Sequence, residues 1–432
     1  MLSELVSLIA SAAKVVEEDF AQSSVPNVPS LDDTRPHPLD DRLSSMKMME
    51  AIQTIEGACA QLCALVARPN HTMLNMFEPA CMRVVVAFNI ADHLLDRPEG
   101  LHVSKLGALS GAEPQKLGRI LRLLASRHCF REVDRDIFAN NRLSMMLVKT
   151  NSISDYVASI SDEVNKAASM LTENLQDPDW GHSDSPVHTP FNSWSKYPGT
   201  FFSWYQDEGA ARGARFKLAM KGWTAVTEAS AAVDEYPWST LHDGATVCDV
   251  GGGIGVISMQ LVEAHPNLRI VLQDLPAQVQ SAKDEVWPAL CPAAIETGRV
   301  EFKAMDFLVE SPVKGCDVHD WPDKECTIIL SGVKNAMDPG SHLLIHEYIL
   351  QHAHRENDSL TGSSSKPAPE PLLPNYGAGR IRQYNIDLDM MCVFNSQERR
   401  LDQFIELGKR SGLKFVRVWD LRETGIVEFC LV

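Results

Sequence analysis

The chain has 432 residues, with 57 Asp or Glu against 40 Lys or Arg, so its formal charge at pH 7 is −17. Charged residues at 22% and hydrophobic ones at 44% are ordinary globular values; they exclude a wholly disordered or fibrous chain, and the length suits two or three domains. The acidic balance argues against a protein whose task is to hold a nucleic-acid backbone, because phosphates require local positive charge.

Residues 1–20 predict an amphipathic helix. Glu4 precedes the first basic residue, Lys14, which is the wrong order for a secretory signal. No apolar run is long enough for a transmembrane helix. The 10 cysteines form no C-x-x-C pair, and Cys59 and Cys63 share one helix face, so reduced thiols and a cytoplasmic location are expected. Residues 23–41, rich in Pro, Ser and Asp, predict a linker. Helices follow over 42–67 and 73–95. A short helix over 103–109, a turn at Ser110-Gly111-Ala112 and a helix opened by Pro114 come next. Leu117, Ile120, Leu121 and Leu124 give that helix one apolar face. With strands at 130–133 and 137–139 the pattern is a winged helix, read here as a dimerisation unit rather than a DNA reader.

A helix over 151–175, a polar connection over 176–190 and a helical, aromatic stretch over 192–231 lead to Gly244. Beyond it the pattern alternates. Strands are predicted at 245–250, 269–273, 300–303, 343–347, 414–419 and 425–432, with helices between most of them, which implies an α/β domain with a mostly parallel sheet. Residues 352–379 predict a surface loop without fixed structure at its centre. The division is thus 1–41 helix and linker, 42–180 winged-helix domain, and 181–432 α/β domain.

The first of these strands runs into Asp249-Val250-Gly251-Gly252-Gly253-Ile254-Gly255. Glycines there allow a sharp turn and close approach to a ligand. The spacing differs from the dinucleotide fingerprint, and Asp249 would repel a pyrophosphate but suits a sulfonium and an ammonium group. Asp274, 19 residues after Gly255, ends the next strand, where a carboxylate accepts ribose hydroxyls. Asp306 and Phe307 follow the third strand, an arrangement that suits an adenine. Glycine loop and acid together predict a nucleoside-bearing cofactor, and the D-x-G-x-G-x-G form resembles the S-adenosylmethionine (SAM) motif of class I methyltransferases. Further on, His319 stands directly before a helix start, with Asp320 as N-cap and Pro322 and Asp323 in the first turn. The positive helix end disfavours an imidazolium, leaving His319 able to accept a proton.

From about Leu43 to the C-terminus the chain resembles the plant- and fungus-type small-molecule O-methyltransferases related to caffeate O-methyltransferase. The resemblance is carried by the segment 117–124, Asn140-Asn141-Arg142-Leu143-Ser144, Arg215-Phe216 to Met220, and the glycine loop. It continues in Gln273-Asp274-Leu275-Pro276, His319-Asp320-Trp321, Met337-Asp338-Pro339-Gly340 and Asn395-Ser396-Gln397-Glu398-Arg399. Residues 369–377 look fungal. The resemblance implies a Rossmann-like methyltransferase domain, an N-terminal helical dimerisation domain, a homodimer, and metal-free transfer of a methyl group from SAM to a phenolic hydroxyl. It implies His319 as general base, Glu347 and Glu398 as its flanking carboxylates, and Met391 and Asn395 against the acceptor. For the cofactor it implies Asp249, Gly251, Gly253, Gly255, Asp274, Leu275, Asp306 and Phe307. His352 and His354 lack acidic company, so no metal site is expected.

One departure is large. The family has an apolar strand between Asp317 and His319, and here Val318 abuts His319, so roughly seven residues, one strand length, are missing. The family's basic residue before the His is missing with them. Either 314–318 replaces the strand, or the sheet loses its central strand, or the sequence derives from an altered transcript. The alternative to an active enzyme is therefore a catalytically impaired SAM-binding relative. A second departure is Arg400, where the family usually has Thr.

Overall fold

The computed structural model describes residues 1–22, 28–37, 43–67, 78–227, 229–306, 320–355 and 367–432. The chain opens with two helices, α1 (Leu2–Ala21) and α2 (Met46–Val66), the second capped by the Ser45 hydroxyl, which accepts from the Met48 N–H at 3.1 Å. They pack on each other and on the segment around 368–380, with Leu5, Ala58, Ala368, Leu372 and Tyr376 in one buried cluster. A Cβ at Gly57 would stand 2.3 Å from the Tyr376 carbonyl oxygen, and one at Gly379 2.2 Å from that of Gln53, so the backbones touch only because both residues are bare. The end of the expected surface loop is therefore core, because Leu372 and Tyr376 cover the apolar side of α2. The centre of that loop, 356–366, lies outside the described residues, as does part of the expected linker.

The winged unit follows the sequence pattern with one break. Helix α3 (Glu78–Ala87) stops where Asn89 turns left-handed at φ 53°, so the predicted continuous helix over 73–95 is divided there; its first residues, 73–77, are outside the described set. Strand β1 (Leu101–His102) leads into α4 (Val103–Ser110), which ends at left-handed Gly111. Glu113 then caps α5 (Pro114–Ser126) by accepting from the N–H groups of Gln115 and Lys116. The wing is β2 (Arg131–Asp134) against β3 (Ile137–Ala139), with β1 on the other side of β3. Leu106, Leu117, Leu121, Leu124 and Phe138 form its core together with Val85 and Ile90.

The predicted helix over 151–175 is α6 (Ser152–Ser159) followed by one wide π turn, Ile160–Val164, and two short pieces. The wide turn buries Asp162 and Glu163 against cations from three elements: Arg83 at 2.7 Å from Asp162, Lys166 beside Asp162, and Arg215 of α7 (Ala210–Val226) on Glu163. The aromatic stretch before α7 comprises two short helices, broken where Lys196 turns left-handed. Phe191, Phe201, Trp204 and Tyr205 pack there with Phe394.

All six strands expected in the C-terminal half form, but in two sheets. Strands β4 (Ala245–Val250), β5 (Leu268–Asp274) and β6 (Val300–Ala304) are parallel, in that order, with α8 (Val256–Ala264) after β4. After α9 (Asp323–Ala336) come β7 (His342–Glu347) and the short β8 (Ile349–Leu350). Helix α10 (Ile381–Phe394) leads to the short β9 (Arg399–Arg400), paired in parallel with β8, and α11 (Leu401–Arg410) to the hairpin β10 (Leu413–Leu421) and β11 (Thr424–Leu431). The second sheet is antiparallel, in the order β10-β11-β7. Among the described residues no backbone pairing joins β4 to β7, where the family strand expected before His319 would lie; residues 307–319, including the candidate replacement 314–318, lie outside them. Side chains still bridge the halves. Val250 of β4 packs with Ile345 of β7 and Val333 of α9, and Leu272 of β5 shares a core with Ile426 of β11. Among the described residues no helix is long and apolar enough to cross a membrane.

Candidate active site

The glycine loop leaves β4 at its carboxyl end and enters α8. Gly251, Gly253 and Gly255 all take positive φ (75°, 58° and 82°). The Gly251 N–H donates to the Gln273 carbonyl at 2.9 Å and the Gly253 N–H to the Asp274 carboxylate at 2.8 Å, so the loop is folded onto the end of β5. A Cβ at Gly252 would strike the Asp249 carboxylate at 2.4 Å, whereas one at Gly253 meets nothing within 4 Å. The loop is thus closed on the Asp249 side and open at Gly253. Asp249 accepts from the Ser258 hydroxyl at 2.6 Å. Asp274 also accepts from the Leu275 N–H at 2.6 Å, and its carbonyl accepts from the Met305 N–H at 2.9 Å, which draws Asp306 to the same edge.

Asp249, Gly251, Gly253, Gly255, Asp274, Leu275 and Asp306 therefore meet at the carboxyl ends of three parallel strands, the place where such sheets bind ligands; Phe307 lies outside the described residues. Carboxylate oxygens keep lone pairs beyond these bonds, so the open glycine cradle with acids on both sides fits a cationic, ribose-bearing cofactor. A support that the sequence did not point to is Trp287. Its indole N–H donates to the Ile254 carbonyl at 2.9 Å, and its ring lies where a Cβ on Gly255 would stand.

The second half of the site is built on β7 and β9. Glu347 ends β7 and is 5% exposed; Glu398, directly before β9, is 2% exposed. The parallel pairing of Ile349 with Arg399 brings the segment after Glu347 alongside the segment after Glu398. The Glu398 N–H donates to Asp387 of α10 at 2.9 Å, a carboxyl whose proton affinity burial raises. Helix α9 begins at Asp323 with Pro322 as its cap residue, so Asp320 is not the N-cap: extended Pro322 (ψ 161°) moves the helix start two residues on. His319 itself lies outside the described residues.

Met391 is half-buried on α10. Asn395 takes the left-handed conformation at the end of α10, and its amide donates to the carbonyls of Ser183 at 2.7 Å and Ser185 at 3.0 Å, so this NH2 ties the helix end to a neighbouring loop. The residue that departs from the family, Arg400, is the cap residue of α11: its N–H donates to the Gln403 side chain and its guanidinium to Asp402. Side chains missed by the sequence are Tyr156, Trp223 and Tyr348. Trp223 stacks on Tyr156 at 5.3 Å between centroids and stands 6.0 Å from Tyr348, which makes an aromatic wall; Glu423 and Glu398 are the acids near Tyr348. No local pattern marks these rings, because they come from three distant elements. Among the described residues no group of three or more His, Cys, Asp or Glu has the arrangement to hold a metal ion.

Comparison with known proteins bears on both halves. The O-methyltransferase domain family matches residues 180–365 and the O-methyltransferase dimerisation domain family residues 70–150. The "3-O-methyltransferase 2" of Phanerochaete chrysosporium is 39% identical over 99% of this chain and 97% of its own. The sterigmatocystin 8-O-methyltransferase of Aspergillus flavus is 32% identical over 68% of this chain and 70% of its own. The crystal structure of OxaC shares the fold, with a TM-score of 0.70 at 21% identity over 100% of this chain and 99% of that one. Nothing in these relatives supports the alternative of a non-methylating homologue. The glycine cradle that fits a nucleoside-bearing sulfonium, the winged unit and this likeness along nearly the whole chain lead to one conclusion: the chain belongs to the fungal SAM-dependent small-molecule O-methyltransferases.

Proposed function

We propose that the protein methylates a hydroxyl of a small phenolic or polyketide-like metabolite, with His319 as general base and Glu347 and Glu398 as the carboxylates that orient it. The observation that carries this reading is that Glu347, at the end of β7, and Glu398, directly before β9, are both buried, and that β7 packs against the glycine-loop strand through Val250. SAM, when bound, supplies an electrophilic methyl group on a sulfonium. A phenol is mostly protonated near pH 7, so its oxygen needs a base as it becomes a nucleophile, a task suited to a neutral imidazole. Two buried negative charges beside that imidazole raise its basicity and fix its orientation. Met391 and the carbonyl end of Asn395 are the proposed acceptor contacts. On the cofactor side, Asp249 faces the cationic groups, Asp274 takes the ribose hydroxyls, and Asp306 with Phe307 holds the adenine, along the glycines and Leu275. Incubation with methyl-labelled SAM and a panel of phenols is the direct test; label in no phenol would sink the acceptor class.

Asp274→Ala is expected to weaken SAM binding about ten-fold or more, since it leaves ligand hydroxyls unpaired, at roughly 1–3 kcal/mol. It also removes the acceptor of the Gly253 N–H. Calorimetry on the folded variant checks this, and unchanged affinity would remove Asp274 from the site.

The proposed division remains 1–41, 42–180 and 181–432, with the middle unit building a homodimer. The dimerisation family match over 70–150 supports this. Val85 and Ile90 serve the chain's own core, so the surface offered to a second copy is the exposed remainder, such as Phe88 at 37% exposure and Leu109. Sedimentation at micromolar concentration is expected to give a dimer; monomer alone would count against the interface.

A further inference from the structure

Arg399 has no part in the chemistry described so far, yet it sits at its centre. Its side chain is 0% exposed. The guanidinium donates through Nη2 to the Trp321 carbonyl at 2.9 Å and to Asp323 Oδ1 at 2.9 Å, through Nε to the same Oδ1 at 3.2 Å, and through Nη1 to the Gln397 carbonyl at 3.4 Å. The Trp321 carbonyl accepts a second bond, from the Cys326 thiol at 3.1 Å. That thiol stays a donor, because burial, opposed by Arg399 but aided by Glu347, Asp323 and Glu325, pushes its pKa up to about 12.

We infer that Arg399 is a positioning residue for methyl transfer: its fork ties the backbone just after His319 to the strand that carries Glu398. The inference rests on the reading of His319 as the base. His319 is two residues before Trp321, so its Cα is within about 7 Å of the clamped residue along the chain, and a displacement of Trp321 is passed on to it. A misplacement of about 1 Å is enough to cost two orders of magnitude in rate. Only a planar fork makes this set of bonds at once; a lysine offers a point charge. The same guanidinium places a positive charge near Glu347. Burial works against that charge, but Asp323 and Glu347 favour it, and the guanidinium stays protonated. The other charged groups around the clamp are Glu398, Asp387 on the Glu398 N–H, and Arg410, 3.9 Å from Asp323.

The test is steady-state kinetics of the full chain on a phenol that the unaltered protein turns over, with SAM affinity by calorimetry. Arg399→Lys keeps the charge and loses the fork. It is expected to lower kcat about ten-fold or more, with SAM affinity unchanged and the acid limb of the pH profile in place. Arg399→Met also removes the charge that offsets Glu347. The imidazole then holds its proton more tightly, and the acid limb moves to higher pH. Asp323→Asn, which weakens the clamp from its other side, is expected to lower kcat without the shift, and it serves if Arg399→Met does not fold. An unchanged kcat in Arg399→Lys and Asp323→Asn overturns the inference, as does a loss of SAM affinity equal to the loss in kcat. His319→Gln separates the two claims. If it retains turnover, the base assignment fails; if it abolishes turnover while Arg399→Lys is unaffected, the positioning role alone fails.

Discussion

His319→Ala is expected to lower kcat by about 10²–10⁴-fold, the usual cost of removing a general base, while the affinity for SAM stays close to that of the unaltered protein. The two effects are expected to separate because the proposed cofactor residues and the proposed carboxylate partners of the base stand on different elements. The proposed cofactor edge is made by the loop after β4 and the ends of β5 and β6, whereas Glu347 ends β7 and Glu398 precedes β9. Glu347 and Glu398 are not expected to replace the imidazole, since an ordinary carboxylate is a far weaker base. In the unaltered protein kcat is expected to fall at low pH, where the proposed base would be protonated. In the variant that limb is expected to disappear. Robust turnover by His319→Ala would overturn the catalytic assignment, and SAM affinity lost in parallel with rate would show that the residue serves the cofactor side.

The second large effect is expected from adding residues. Insertion of roughly seven apolar residues between Val318 and His319, one strand length, is expected to raise both the denaturation midpoint and turnover. In the described residues β4 has a partner on one side only, β5, and β7 has β11 on its one paired side. A strand between them would pair backbone groups on both edges at about 0.5–1.5 kcal/mol for each hydrogen bond. It would also bury several side chains on both faces, at about 1.5–3 kcal/mol for each Val, Leu or Ile. Ordering the segment costs about 1–2 kcal/mol per residue, so the net gain is on the order of a few kcal/mol, a shift of several degrees in Tm. The insert must be apolar throughout, because a central parallel strand is buried on both faces; a polar insert of equal length is the control. Equal midpoints and rates for the apolar insert and the unaltered chain would mean that residues already present before His319 fill the place of the strand.

Local pattern carried a large share of this protein. The alternation of strands after Gly244, the positive-φ glycines at 251, 253 and 255, and acids at strand ends are short-range features, and they come out in the structure where periodicity and turn chemistry put them. Tertiary packing decided the rest. The Trp321 carbonyl just before α9 is held by Arg399, a residue that no local window contains. The amide of Asn395 meets a loop more than two hundred positions earlier, and Trp223 meets Tyr348 more than a hundred positions later. The end of the expected surface loop became core because α2 arrived to be covered by Leu372 and Tyr376. Dihedral preference and hydrophobic period act within a few residues and are written in the chain, whereas a buried charge or a ring finds its partner through the packing of whole elements, which the fold alone sets.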